Sequence, residues 1–484
     1  MKTLLLIIIL FPCFVSAQLQ IAKLFSDNMV LQRDKPIHIF GKAIPDKKVT
    51  VQFNSRSKIT EAGSDSVWNI YFEKQKANAT AQSIIVISGK EKIEIKNILI
   101  GDVWVAAGQS NMEFRVGKNI YGSLVHSDSI IAKADCQLLR FDVVKRQQSL
   151  IALDTTTATW TICSPETVYN YSAVAYFFAK KLETELNIPI GVIVAAIGGT
   201  QIEAWTPREG LEAVPEFADA LQLKKSISVL PSKPYDLKNV PCGNYNAMVS
   251  PYTKLPIKGF IWYQGEENFY MDYLKDPKFV YGEKFKALII SWRVAWKDAT
   301  LPFYFTELAN YKWTSHGDKR IKSTEDLPFF KAEQKKALLL AHVNAITVSD
   351  VSDANNIHPS DKESVGTRFA FCALSELYQK NYKPATASFF LKMKREGNGI
   401  RVWFTNAKGL KANDGRDLNC FQIAGDDNVF QTGKTIINKR NGTVWVVNSN
   451  VPFPTQIKFA WNEIADPNLI NKTGMPASCF FEKL

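Results

Sequence analysis

Gly101-Asp102-Val103-Trp104-Val105-Ala106-Ala107-Gly108-Gln109-Ser110-Asn111-Met112 is the stretch that decides the fold. Val103 to Ala107 is short, apolar and β-branched at two places, which reads as a buried strand. The run stops at Gly108, and Gln-Ser-Asn follows where the chain must turn. A serine held by a glycine turn at the end of a core strand is where hydrolases place a nucleophile. Its hydroxyl is exposed at the rim of the sheet, and nearby backbone N–H groups are free to bind an oxyanion. The pattern differs from the Gly-x-Ser-x-Gly elbow of α/β-hydrolases, because Met112 occupies the place of the second glycine.

Downstream of this strand, apolar segments alternate with helical ones. Ser172 to Leu186 reads as a helix and Ile190 to Ile197 as a strand covered on both faces. Ile257 to Tyr263, Phe303 to Phe305 and Ala345 to Val348 are further strands. Helices are expected at Glu283 to Trp296, Ala332 to Leu340 and Val365 to Leu377. This alternation predicts an α/β domain with a mostly parallel sheet, whose ligands bind outside the carboxyl ends of the strands. Upstream, Gln18 to about Lys96 consists of short period-two runs such as Val49 to Phe53 and Trp68 to Phe72, which suit a small β-sandwich. From about Tyr382 the chain returns to short strands, including Ile400 to Phe404 and Val444 to Val447. The expected organisation is a signal segment at 1–17, an N-terminal β domain at 18–97, the α/β domain at 98–381 and a C-terminal β region at 382–484.

The chain has 484 residues and a net charge of +12. The charge is spread along the chain, with no long basic run and no nucleic-acid module, so a solvated lysine-rich surface is expected, with mild attraction for acidic glycans as the alternative reading. Met1 to Ala17 has the form of a secretory signal, with Lys2, an apolar segment from Leu4 to Phe14, and small residues before Gln18. The apolar run is shorter than the ~20 residues of a spanning helix, so the protein is expected to be secreted or periplasmic. The remaining cysteines are widely spaced and form no Cys-x-x-Cys pair, so at most one or two disulfides are expected and no zinc or redox motif. No His/Asp cluster has metal-ligand spacing, and no metal or other cofactor is expected.

Three other strand ends carry polar residues in the manner of Ser110. They are Gly198-Gly199-Thr200-Gln201-Ile202-Glu203-Ala204-Trp205, Gln264-Gly265-Glu266-Glu267-Asn268, and the segment from Ser349 through Asp353 and Asn355 to His358-Pro359. On parallel strands these tips converge, bringing a serine, a Gly-Gly backbone, a side-chain amide and a histidine together. Acyl transfer requires that set. Glu266 and Glu267 are also candidates for a glycosidase pair. As neighbours on an extended segment they point apart, and Glu266 is better read as a brace for the loop.

Gly108-Gln109-Ser110-Asn111-Met112, Gly198 to Trp205, Ile261 to Asn268 and Ile357-His358-Pro359-Ser360-Asp361-Lys362 together resemble the motif set of the sialate O-acetylesterase-like family, within the SGNH hydrolase superfamily. The likeness runs from about Phe25 to the C-terminal Gly474-Met475-Pro476-Ala477-Ser478. It implies a flavodoxin-like α/β esterase core flanked by β regions. It also implies Ser110 as nucleophile and His358 as general base and acid. The implied oxyanion donors are the backbone N–H groups of Ser110 and Gly199 and the side-chain amide of Gln264, where much of the superfamily has asparagine. The superfamily often has Asp three residues before the histidine, and this chain has Asn355. Asp353 is the first choice for the triad acid, with Asp350 and a bare Ser–His dyad as alternatives. Glu203, Trp205 and Arg115 are candidate substrate contacts. The expected activity is removal of acetyl groups from O-acetylated sialic acid. The alternatives are an acetylxylan esterase, a catalytically dead glycan-binding protein and a lipid acyl-hydrolase.

Overall fold

The computed structural model describes residues 18–273, 281–315, 321, 323–382 and 385–484. The expected signal segment lies outside them. Among the described residues, no helix is long and apolar enough to cross a membrane.

The organising element is β1, Glu91–Gly108, an 18-residue strand. Its N-terminal half pairs with Asn78–Ser88 and with Val30–Gln32 in the N-terminal β region. Its C-terminal half is the centre of the main sheet, so residues 97 and 98 lie within one continuous strand. In this half Val103, Val105 and Ala107 enter one hydrophobic core while Trp104 and Ala106 enter the other. That is the period-two alternation of a strand buried on both faces.

Six more strands complete the main sheet: β2 (Cys136–Val143), β3 (Trp160–Cys163), β4 (Ile190–Ala196), β5 (Gly259–Tyr263), β6 (Phe303–Thr306) and β7 (Val343–Ile346). Their spatial order is β3-β2-β4-β1-β5-β6-β7. Only β3 is antiparallel to its neighbour. The five strands β4-β1-β5-β6-β7 have the 2-1-3-4-5 order of the flavodoxin-like fold, with the β2/β3 hairpin added at one edge. The topological switch lies between β1 and β5, so Ser110 emerges where such sheets bind ligands. Gly108 is in register with Ala196 on β4 and Tyr263 on β5, which sets the three following loops at one level.

Helices cover both faces. On one side α2 (Ala173–Leu186) and α5 (Lys362–Glu376) pack together, while α3 (Tyr281–Ala295) and α4 (Asp326–Lys335) lie against the other core. Ser172 caps α2 by accepting from Ala175 N at 3.2 Å, and Asp361 caps α5 by accepting from Ser364 N at 2.9 Å. Gly366 is required by proximity, since a Cβ there would lie 2.5 Å from the Val174 carbonyl oxygen.

The C-terminal region forms two four-stranded sheets around a third core. It is tied to the α/β region by an ion pair of Lys458 with Glu325 at 2.6 Å and by Thr347 donating to the Pro476 carbonyl at 2.8 Å. The six described cysteines are all free thiols, and Cys136 and Cys163 are register partners on β2 and β3.

Candidate active site

Ser110 opens α1, Ser110–Glu113, directly after β1. Gly108 makes the turn with φ 145°, and a Cβ on it would lie 2.1 Å from the Tyr263 carbonyl oxygen. The Ser110 side chain is nearly buried and its Oγ lies 2.8 Å from His358 Nε2. His358 comes from the loop after β7, three strands away. Two side-chain turns shape that loop: Asp353 Oδ1 accepts from Asn355 N at 2.8 Å, and Asn356 Oδ1 accepts from His358 N at 2.9 Å.

The first turn corrects the assignment of Asp353. Its carboxylate is exposed and engaged with its own loop, and among the described residues no hydrogen bond or ion pair joins it to the imidazole. Asp350 is held by Arg368, whose Nη1 donates to it at 2.8 Å, and Asn355 is exposed. The ring of His358 instead packs on Tyr121, with centroids 4.8 Å apart and planes tilted by 41°. Burial, with the Lys362 cation as the lesser cause, pushes the His358 pKa down to about 4.

Gly198 lies against the nucleophile, and Gly199 lines the same cleft. A Cβ on Gly198 would fall 3.2 Å from Ser110 Cβ and 2.1 Å from the Tyr121 hydroxyl. Gly198 N donates to Glu113 Oε2 at 2.8 Å, and Glu113 also takes the Tyr121 hydroxyl and the Arg146 guanidinium. Gly199 has φ 64°. Among the described residues, the N–H groups of Ser110 and Gly199 have no hydrogen-bond partner. Two unpaired donors beside a serine hydroxyl are suited to an oxyanion.

Gln264 does not join them. Its amide nitrogen donates to the Thr200 carbonyl at 3.0 Å and to Asn268 Oδ1 at 2.7 Å, and its oxygen accepts from Tyr281 at 2.6 Å. One amide hydrogen goes to the loop that carries Gly199 and the other to Asn268, so both are spent and Gln264 ties the two loops together. The side-chain amides that line the cleft are those of Gln109 and Gln148, and Gln109 Oε1 accepts from Gly265 N and Glu267 N at 3.2 and 3.3 Å.

The three expected substrate contacts are placed elsewhere. Glu203 is buried in an ion pair with Lys284 and accepts from Asn268 at 2.9 Å. Trp205 is fully buried, donates to Thr200 Oγ1 at 2.8 Å and packs edge-on to Trp262. Arg115 is half-buried, bridges Ser172 through the main chain and does not line the cleft. Instead, a cleft of about 640 Å³ around Ser110 and His358 is walled by Tyr121, Arg146, Lys238, Tyr270 and Trp313. Tyr121 and Arg146 lie on loops, and Lys238, Tyr270 and Trp313 lie in short helical turns, segments too short to show a periodicity in the sequence.

Beneath the serine and histidine is a buried polar array. Asn111 Nδ2 donates to Glu266 Oε1 at 2.6 Å and to the Ile357 carbonyl at 3.1 Å, while Lys362 Nζ donates to Asn111 Oδ1 at 2.6 Å. The residue after the nucleophile is thus tied to the residue before the histidine. Burial raises the Glu266 pKa to about 6 and lowers that of Lys362 to about 7. Among the described residues, no group of three or more His, Cys, Asp or Glu is placed to hold a metal ion.

This geometry agrees with the relatives of the chain. A family described as carbohydrate esterase, sialic acid-specific acetylesterase, matches residues 100–375. Sialate O-acetylesterase of Rattus norvegicus is 28% identical over 406 residues, covering 74% of this chain and 73% of the relative. The Homo sapiens protein of the same name is 28% identical over 394 residues, covering 74% and 71%. The crystal structure of a carbohydrate acetylesterase from Xanthomonas citri superposes with a TM-score of 0.83 at 28% identity, over 96% of this chain and 99% of that one. The chain belongs to the sialic acid-specific acetylesterase family of carbohydrate esterases, and its activity is that of a carbohydrate O-acetylesterase.

Proposed function

We propose that the protein removes acetyl groups from O-acetylated sialic acid through a serine acyl-enzyme, working outside the cytoplasm. The observation that carries this reading is the 2.8 Å contact between Ser110 Oγ and His358 Nε2, at the mouth of a cleft where the Ser110 and Gly199 N–H groups stand unpaired. His358 Nε2 takes the hydroxyl proton as Oγ attacks the acetyl carbonyl. The carbonyl oxygen becomes an oxyanion held by the two N–H groups, each worth about 3 kcal/mol of barrier. As the bond from the carbonyl carbon to the sugar oxygen breaks, His358 protonates that oxygen, which leaves as the sugar hydroxyl. Water, deprotonated by the same nitrogen, releases acetate and restores Ser110. The machinery is a Ser–His pair, with the face of the Tyr121 ring as the electron-rich surface beside the imidazolium. The signal-like Met1 to Ala17 supports the extracytoplasmic location.

The test is acetate release from O-acetylated sialic acid and from acetylated xylan, by the wild type and Ser110→Ala. Release from the sialate by the wild type alone is expected. Release from xylan alone would transfer the activity to neutral plant glycan. A protein inert on both, and on a chromogenic acetate, would be a glycan-binding protein.

A further inference from the structure

The cleft is lined by two carboxylates, Glu266 and Glu267, and by two permanent cations, Arg146 and Lys238. Three of the four are already engaged. Arg146 is paired with Glu113, Glu266 is held by Asn111, and Glu267 Oε1 accepts from the Tyr235 hydroxyl at 2.8 Å. Lys238 is different. Among the described residues it forms no ion pair, and its one hydrogen bond, to the Gly198 carbonyl, is long at 3.4 Å. Its ammonium lies over the Tyr235 ring at 4.9 Å.

The position of this cation is as telling as its lack of a counter-ion. A Cβ built on Gly199 would lie 2.3 Å from Lys238 Nζ, so the ammonium rests directly on the residue that carries one of the two proposed oxyanion donors. Glu267 Oε2 is 3.5 Å from the same point, and the two side chains still do not pair. The Lys238 side chain is half-buried. Withdrawing an ammonium from water without a counter-charge is unfavourable, and an anion brought by the ligand would reverse that cost. A neutral acetylated glycan offers no such group.

We propose that Lys238 is the carboxylate-binding point of the cleft and selects acetylated sugar acids over neutral acetylated sugars. The proposal rests on the acetylesterase reading and names the charge its substrate must carry. Because Lys238 touches Gly199, the acetyl ester and the carboxylate belong to one sugar unit. With the Gly198 carbonyl retained, the ion pair leaves one ammonium hydrogen for a neighbouring hydroxyl, and its contribution falls as salt rises.

The experiment compares kcat/KM for O-acetylated sialic acid and for its C1 carboxamide, with the wild type, Lys238→Met and Lys238→Arg. The wild type should prefer the acid by about tenfold, the difference a charge-assisted hydrogen bond supplies. Lys238→Met should bring the ratio close to one through KM, and Lys238→Arg should keep most of the preference. A ratio is insensitive to the fraction of folded enzyme. A preference that survives in Lys238→Met would overturn the proposal. So would an equal fall for both substrates, which would assign Lys238 to the oxyanion instead. Calorimetric binding of the deacetylated acid and of its carboxamide reads the same ratio without turnover. A wild type that binds the acid selectively through Lys238 but cleaves neither substrate would sink the esterase reading and leave the subsite standing.

Discussion

The acidic limb of the pH–rate profile is the most direct probe of this site. A general base must be unprotonated in the free enzyme, so kcat/KM falls as His358 acquires its proton. Burial holds that proton off until about pH 4, against an ordinary value of 6.5. At pH 5.5, a group of pKa 4 is about 97% neutral and one of pKa 6.5 about 9%, so the two cases differ by about tenfold in rate. The assay is acetate release at low substrate from about pH 3.5 to 8 at constant ionic strength. Full activity is expected at pH 5.5, with the decline centred near pH 4. Glu266 titrates near 6 and Lys362 near 7, so both lie inside this window. Any inflection near 6 that vanishes in Glu266→Gln belongs to that carboxyl. Lys362→Met supplies the sign check. The Lys362 cation disfavours the imidazolium, so its removal raises the His358 pKa and moves the acidic limb to higher pH. The limb stops short of the ordinary value, because burial is the larger cause and remains. A wild-type limb centred at 6 to 7 and unmoved in Glu266→Gln would refute this reasoning. It would mean that the imidazole is solvated or carries a carboxylate partner in solution.

Ser110→Ala should lower kcat by about 10⁴-fold or more and abolish the acyl-enzyme burst with a chromogenic acetate. Tyr121→Leu removes the ring beside the imidazole and the hydroxyl on Glu113, and kcat should fall about tenfold at unchanged pH optimum. Asp102, fully buried, accepts from Gln32, Arg33 and Tyr378. Asp102→Ala strands these donors and should cost about 3 kcal/mol in urea unfolding.

The parallel sheet was legible because Val103 to Ala107 and Ile190 to Ile197 are continuous apolar runs, and Ile257 to Tyr263 is one with Lys258 as its only charge, the mark of strands covered on both faces. Ser110, Gly199 and His358 were legible because strand tips in such a sheet converge. The first half of β1 was not legible. Glu91 to Lys96 alternates Glu and Lys with isoleucine at a solvated edge, and nothing marks its continuity with the buried half. Glu203 and Trp205 follow a strand tip as a substrate contact would. The short helix Ile202–Trp205 turns them inward, where Lys284 and Thr200 hold them. Gln264 and Asp353 failed for a related reason. Position in a motif gives the residue type near the site, while the partner of each polar atom depends on side chains brought in from Thr200, Asn268, Tyr281 and the loop itself. Tyr121 and Arg146 stand on irregular segments and Lys238 ends a five-residue helix, and such sequence does not encode which cavity they face.

A Ser–His pair without a bonded carboxylate needs another means of fixing the imidazole, and the buried array around Asn111 supplies one. Asn111 holds the carbonyl of Ile357 with one amide hydrogen and Glu266 with the other, while its oxygen takes the Lys362 ammonium. Strain in either loop is therefore resisted by a charged group at each end. Lys362 is further held over the rings of Phe114 and Tyr263 at 4.8 and 5.7 Å. Orientation is what a triad acid provides before the reaction; charge stabilisation is what it provides during it. In the proposed mechanism the first task falls to backbone tethering through Asn111 and the turn at Asn356, and the second, among the described residues, to the Tyr121 face. Such a base resists protonation at rest and gains least in the transition state. In the proposed mechanism its compensation lies in the two N–H donors, Ser110 and Gly199, and the Gly199 loop is held by Glu113 on one side and Gln264 on the other. On this logic, loosening the Gly199 loop should damage catalysis more than any change at Asp353. Asp353→Asn should therefore leave kcat within about twofold, whereas loss of the triad acid proper costs about 10⁴-fold. A fall of the larger size would return Asp353 to the triad.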